Sequence, residues 1–161
     1  CNYIYGSFLA LRGLLHAGED MRQPRFQQTA DWIRAHQNAD GGWGELPHSY
    51  DDPTTKGIGP STPSQTGWAL VALFATGDGD SAAVRRGVDY LLANQQYDGS
   101  WKDDHWTATG FPKVFYLRYH LYATVFPLRA LALYGREAGT GPISRNEADG
   151  VAVRRADHGV N

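Results

Sequence analysis

"HQNADGGW" (residues 36–43) and "NQQYDGSW" (residues 94–101) are two copies of one short pattern, Gln-x3-Gly-x-Trp, and their reading decides the fold. The copies consist of Gln37, Gly41 and Trp43, and of Gln95, Gly99 and Trp101. Each closes a helical stretch that carries an aromatic–aliphatic pair, Trp32-Ile33 or Tyr90-Leu91, five and four residues before its Gln. The period is 58 residues, the length of one helix pair with its connectors. Helix pairs repeating at that length pack side by side in a ring or a solenoid. A Gln at a helix end can donate to the orphan carbonyls there and accept from a neighbouring helix N-terminus. The Gly permits the positive φ of the turn, and the Trp lies over it and seals the seam between helices. These residues read as staples rather than catalysts.

Working outward, the apolar spacing predicts five helices and no strand. Residues 3–16 place Tyr3, Ile4, Phe8, Leu11 and Leu15 on one face and stop at Gly18. Residues 26–37 follow Pro24 and turn Trp32 and Ile33 inward. Residues 64–75 are apolar nearly all round and read as a buried helix, with Pro63 in the first turn and Gly77 past the end. Residues 81–96 are amphipathic, with Val84, Val88, Leu91 and Leu92 facing in, Arg85 and Arg86 facing out, and Asp80 or Ser81 as N-cap. The last helix, 115–136, contains Pro127, which should kink or split it. Residues 139–161 are polar and aperiodic and read as a flexible tail, leaving 1–138 as the folded part.

The chain has 161 residues, enough for a real core, and 42% of them are hydrophobic. A formal charge of −2 with interspersed signs leaves no basic stripe, which argues against a nucleic-acid partner. One cysteine, Cys1, excludes an internal disulfide framework and fits a reducing compartment. No apolar run approaches the ~20 residues of a spanning helix. The chain begins with Cys, and its single methionine is Met21, so it reads as a piece of a longer protein.

Several stretches invite a chemical reading. Asp51 and Asp52 are adjacent, but Pro53 disfavours helix at Asp52, and a polar loop would not raise a carboxyl pKa. Loop structure is the better reading. Asp78 and Asp80 hint at calcium, yet Ala82 and Ala83 fall where a ligand and a glycine are needed, so this is a turn. The six histidines show no HxxxH pair, and no metal or cofactor is expected. Phe111, Phe115, Tyr119, Tyr122 and Phe126 step by four, four, three and four, the spacing of one helical face. For an unknown protein that is a core stripe.

The duplicated Gln-x3-Gly-x-Trp resembles the QW repeats of triterpene cyclases. The second copy has the fuller form, from Arg86-Gly87 through Tyr90-Leu91 to Gln95, Gly99 and Trp101; the first departs, with Gln28 and Thr29 in place of a basic and a small residue. "NYIYG" (2–6), "GPSTPSQTGWAL" (59–70) and "GFPKVFYLRYHLY" (110–122) resemble the C-terminal part of squalene–hopene cyclases. The resemblance implies an all-α arc of an α/α toroid, an α6–α6 barrel with QW connectors and no sheet. It implies that linear squalene is protonated without loss of a diphosphate and cyclised through carbocations to hopene or hopanol.

By the same resemblance, Phe111 and Phe115 serve the later cations, and Tyr119 and Tyr122 shape that region. Tyr5 supports the hydrogen-bond network near the acid, whereas Trp68 is assigned no chemistry. The family's acid belongs to an Asp-x-Asp-Asp motif, which these 161 residues lack, so the chain alone is expected to be inactive. The implied setting is the cytoplasmic face of the cell membrane, peripherally bound through the complete protein, with a homodimer possible. The competing readings are a class II cyclase for another linear terpenoid, a zinc-dependent prenyltransferase subunit and a non-catalytic toroid module.

Overall fold

Prolines and hydroxyl side chains set where the helices begin. In a computed structural model, which describes residues 2–137, helix α1 spans Tyr3–His16, α2 Pro24–Ala35, α3 Pro63–Ala75 and α4 Ala82–Ala93. Pro24 and Pro63 stand at the starts of α2 and α3, where the missing N–H costs nothing. Thr62 caps α3 by accepting from the Gln65 amide, and Ser81 caps α4 by accepting from Val84. Between α2 and α3 the chain makes two short 3-10 turns, Pro47–Tyr50 and Pro53–Thr55.

Adding 58 to the bounds of α2 (24–35) gives 82–93, which are the bounds of α4. The repeat read in the loops is therefore also a repeat of helices. Helix α3 lies between α1 and α5 and packs most extensively against both. Helix α2 touches α1 and α3, and α4 touches α3 and α5. All thirteen residues of α3 are buried, as its apolar sequence requires. Gly67 lets α5 approach, since a Cβ there would stand 2.7 Å from the Phe126 carbonyl oxygen.

Three expectations are corrected. Helix α5 spans Tyr122–Glu137, and the residues before it form a hairpin, so the protein is not free of sheet. Strand β1 (Ala108–Phe111) pairs antiparallel with β2 (Phe115–Leu117), with Ala108 opposite Leu117 and a bulge between Thr109 and Phe111. Pro112 disfavours helix at Phe111, and Lys113 turns the chain with φ 65°. Pro127 does not split α5, which runs through it near its start. Two apolar side chains placed in the core are outside it: Leu92 is 54% exposed and Leu15 38%. Each lies past the buried stripe of its helix, formed by Val84, Val88 and Leu91 or by Ile4, Phe8 and Leu11. The tail proposed over 139–161 lies outside the described residues.

Candidate functional site

The two QW units share their hydrogen bonds at an offset of 58. Gln37 Nε2 donates to the Gly41 carbonyl (2.7 Å), as Gln95 Nε2 does to Gly99 (3.0 Å). Trp43 Nε1 donates to the Ile33 carbonyl and Trp101 Nε1 to Leu91, each at 2.7 Å. Gly41 and Gly99 have φ of 89° and 83°. The division of labour differs from the expected one. The indole, not the amide, reaches the carbonyls at the ends of α2 and α4: Ile33, which also accepts from the His36 amide, and Leu91. Gln37 instead reaches forward, donating to Ala83 in the first turn of α4 (2.8 Å) and accepting from Arg86. Gly87 makes room for the Trp43 ring, 2.7 Å from where its Cβ would be.

The aromatic residues form two groups rather than one helical face. Tyr5 on α1 packs on Trp68 of α3 with centroids 4.8 Å apart. Trp68 in turn meets Tyr122 and Phe126 of α5 edge-on at 5.8 and 5.4 Å. Tyr119 stacks on Tyr122 at 4.9 Å. Phe111 and Phe115 pair with each other on the hairpin at 5.7 Å and are 65% and 43% exposed. Among the described residues no ring contact joins that pair to the Tyr5–Tyr122 group. The structure thus brings Tyr5, Tyr119 and Tyr122 together and leaves Phe111 and Phe115 on a separate arm.

Trp68, to which the sequence reading assigns no chemistry, stands at the centre of this group. A helix that is apolar all round offers no face by which to single it out. The repeat offers one: 68 plus 58 is 126, so Trp68 and Phe126 are equivalent positions, and they touch.

The polar groups near this cluster are few. Burial, and then the neighbouring Tyr5, raise the Tyr122 pKa, so its phenol stays protonated. Asp103 is buried beside the cluster and accepts from Ser64 Oγ; burial raises its pKa against that hydrogen bond. A cavity of about 20 Å³ lies among Ser64, Trp68, Asp103, Tyr119 and Tyr122, room for one water and not for a long hydrocarbon. Asp51 is exposed and pairs with Lys113 at 2.7 Å. Asp52 accepts from the Thr54 hydroxyl and amide, which lower its pKa, as befits a turn cap and not a proton donor. Among the described residues no group of three or more His, Cys, Asp or Glu side chains is placed to hold a metal.

Fold and site together define a helical-repeat protein bound by Gln–Gly–Trp loops and carrying a wall of aromatic rings. Residues 1–136 match the squalene–hopene cyclase C-terminal domain, and the chain belongs to that family. It is 52% identical over 134 residues to the squalene–hopene cyclase of Bradyrhizobium diazoefficiens, across 83% of this chain and 20% of that protein. To the squalene–hopene cyclase of Alicyclobacillus acidocaldarius it is 51% identical over 133 residues, across 83% and 21%. To the dammaradiene synthase of Dryopteris crassirhizoma it is 44% identical over 147 residues, across 83% and 22%. The chain spans about a fifth of the length of these relatives. No helix among the described residues is long and apolar enough to cross a membrane.

Proposed function

We propose that this chain forms one arc of an α/α toroid that cyclises squalene to hopene or hopanol, with the initiating acid on residues outside this sequence. The observation that carries the reading is the cluster of Tyr5, Trp68, Tyr119, Tyr122 and Phe126, contributed by three neighbouring helices and the segment before α5. A carbocation needs negative potential from groups that cannot trap it. Aromatic faces supply that, at ~2 kcal/mol or more each once water is excluded. Fixed rings favour cationic transition states over the neutral alkene, because they need no reorganisation as charge develops.

In this reading α1, α3 and α5 face the cavity, α2 and α4 wrap outside, and the QW units hold the layers together. Phe111 and Phe115 serve the later cations from the hairpin, which the remainder of the toroid covers. Tyr119 and Tyr122 shape that end of the cavity, and Tyr5 supports the network around the acid. Squalene does not travel through water, so the complete protein takes it from a membrane surface. The similarity to a dammaradiene synthase supports a second reading, a class II cyclase whose cascade ends at another product.

The test is gas chromatography–mass spectrometry of extracts after incubation with squalene, for this chain and for the complete gene product that contains it. Hopene or hopanol from the longer protein alone is the expected outcome. Another cyclised product would support the second reading, and turnover by this chain alone would overturn the placement of the acid.

A further inference from the structure

The QW pattern ends, as read from sequence, at its tryptophan. The structure carries it further. Two residues past Trp43 is Glu45, and two past Trp101 is Asp103, 58 positions on. Both carboxylates are buried, 1% and 7% exposed, and neither has a salt-bridge partner among the described residues. Each points back to the first turn of the cavity-side helix one repeat earlier.

The two ends differ in detail, and the difference follows from local caps. Helix α1 has no side-chain cap of its own: Asn2 has φ 52° and makes no capping bond. Its first amides are satisfied by Glu45 Oε2, which accepts from Tyr3 (2.8 Å) and Ile4 (3.3 Å). The other oxygen, Oε1, accepts from Ser49 Oγ. Glu45 is itself fixed, since its amide donates to Gln65 Oε1 (2.7 Å) and its carbonyl accepts from Gln65 Nε2 (3.0 Å). Helix α3 already has Thr62 as a cap, so Asp103 takes the Ser64 hydroxyl instead. Its Oδ1 is buried without a well-formed hydrogen bond. The positive ends of α1 and α3 supply a favourable field at both carboxyls, and at Asp103 the charge of Arg118 adds to it.

What each carboxylate holds leads directly to the aromatic cluster. Tyr5 follows Ile4 on α1. Trp68 is one turn beyond Ser64 on α3, on the same helix face. We infer that the repeat unit extends to Glu45 and Asp103, and that these are positioning residues that set Tyr5 against Trp68 by gripping α1 and α3 at their first turns. The consequence for catalysis rests on the cyclase reading above.

The test uses the complete gene product, as wild type and as Glu45→Gln, Glu45→Ala and Asp103→Asn. Hydrogen exchange is followed by mass spectrometry, and product ratios from squalene are measured well below the melting temperature. Two lost bonds to the Glu45 carboxyl predict exchange of the Tyr3 and Ile4 amides faster by about tenfold or more in Glu45→Ala, with Glu45→Gln intermediate. Asp103→Asn loosens the first turn of α3 and leaves α1 as it was. Each variant shifts the ratio of early-terminated to complete products by about threefold or more, because a tilted ring changes which cation is stabilised. Should Glu45→Ala fail to fold, intermediate acceleration confined to α1 in Glu45→Gln supports the inference, and its absence overturns it. Loosening spread evenly over the chain, or an unchanged product ratio in variants whose first turn has loosened, also overturns it. The exchange measurement needs no turnover, so a wild type that leaves squalene untouched sinks the cyclase reading and not this one.

Discussion

At the scale of single residues, glycine carries very different weight at different places. Gly41 has φ 89°, and a Cβ there would stand 2.5 Å from the Arg86 carbonyl oxygen of α4. Gly77 has φ 78° with open space around it. Gly77→Ala should therefore cost about 1 kcal/mol, from the backbone alone, and Gly41→Ala clearly more, as read by denaturant unfolding. Asp103 gives a pH signature. Burial raises its pKa, so the folded state holds the proton more tightly than the unfolded one. Its stabilising contribution is complete below the ordinary carboxylate pKa of about 4 and is lost as pH rises through the raised value. The melting temperature of the wild type should gain on that of Asp103→Asn across this window as pH falls; a constant difference would mean that the carboxyl titrates normally.

At the scale of elements, the helices were legible because their signals agree. Proline or a hydroxyl cap, an apolar stripe and a following glycine mark α3 and α4 at nearly their observed bounds. The hairpin was not legible, for a physical reason. A spacing of four that marks one helical face also brings two residues opposite each other across a tight turn, and Phe111 and Phe115 are such cross-strand partners. Only Pro112 between them spoke against helix. Of the aromatic cluster, Tyr119 and Tyr122 were singled out for their spacing and their resemblance, whereas Trp68 lay in a helix without a polar face to orient it. The QW loops make a further prediction. Trp43→Phe and Trp101→Phe each remove an indole donor from a buried helix-end carbonyl, at a cost of about 0.5–1.5 kcal/mol. Trp43→Phe should cost more, since Trp43 also packs on Gly87 of α4. Equal losses in thermal unfolding would count against that bridge.

At the scale of the whole molecule, α5, the hairpin and the segment between them present Phe111, Val114, Phe115, Leu121, Val125 and Leu128 to solvent. An apolar surface of this kind needs a cover. Expressed alone, the 161-residue chain should bind a hydrophobic dye and scatter light as its concentration rises. A monomer that melts in one cooperative step would contradict this. Helix α3 adds a constraint of another sort. It is wrapped by α1, made before it, and by α5, made after it, and its own last residue is Ala75 while α5 begins at Tyr122. At 5–20 residues per second, a ribosome takes about 2–9 s to cover that interval. For those seconds the greasiest helix of the nascent chain lacks α5, the neighbour it packs against most extensively, and a chaperone has its best opportunity to bind.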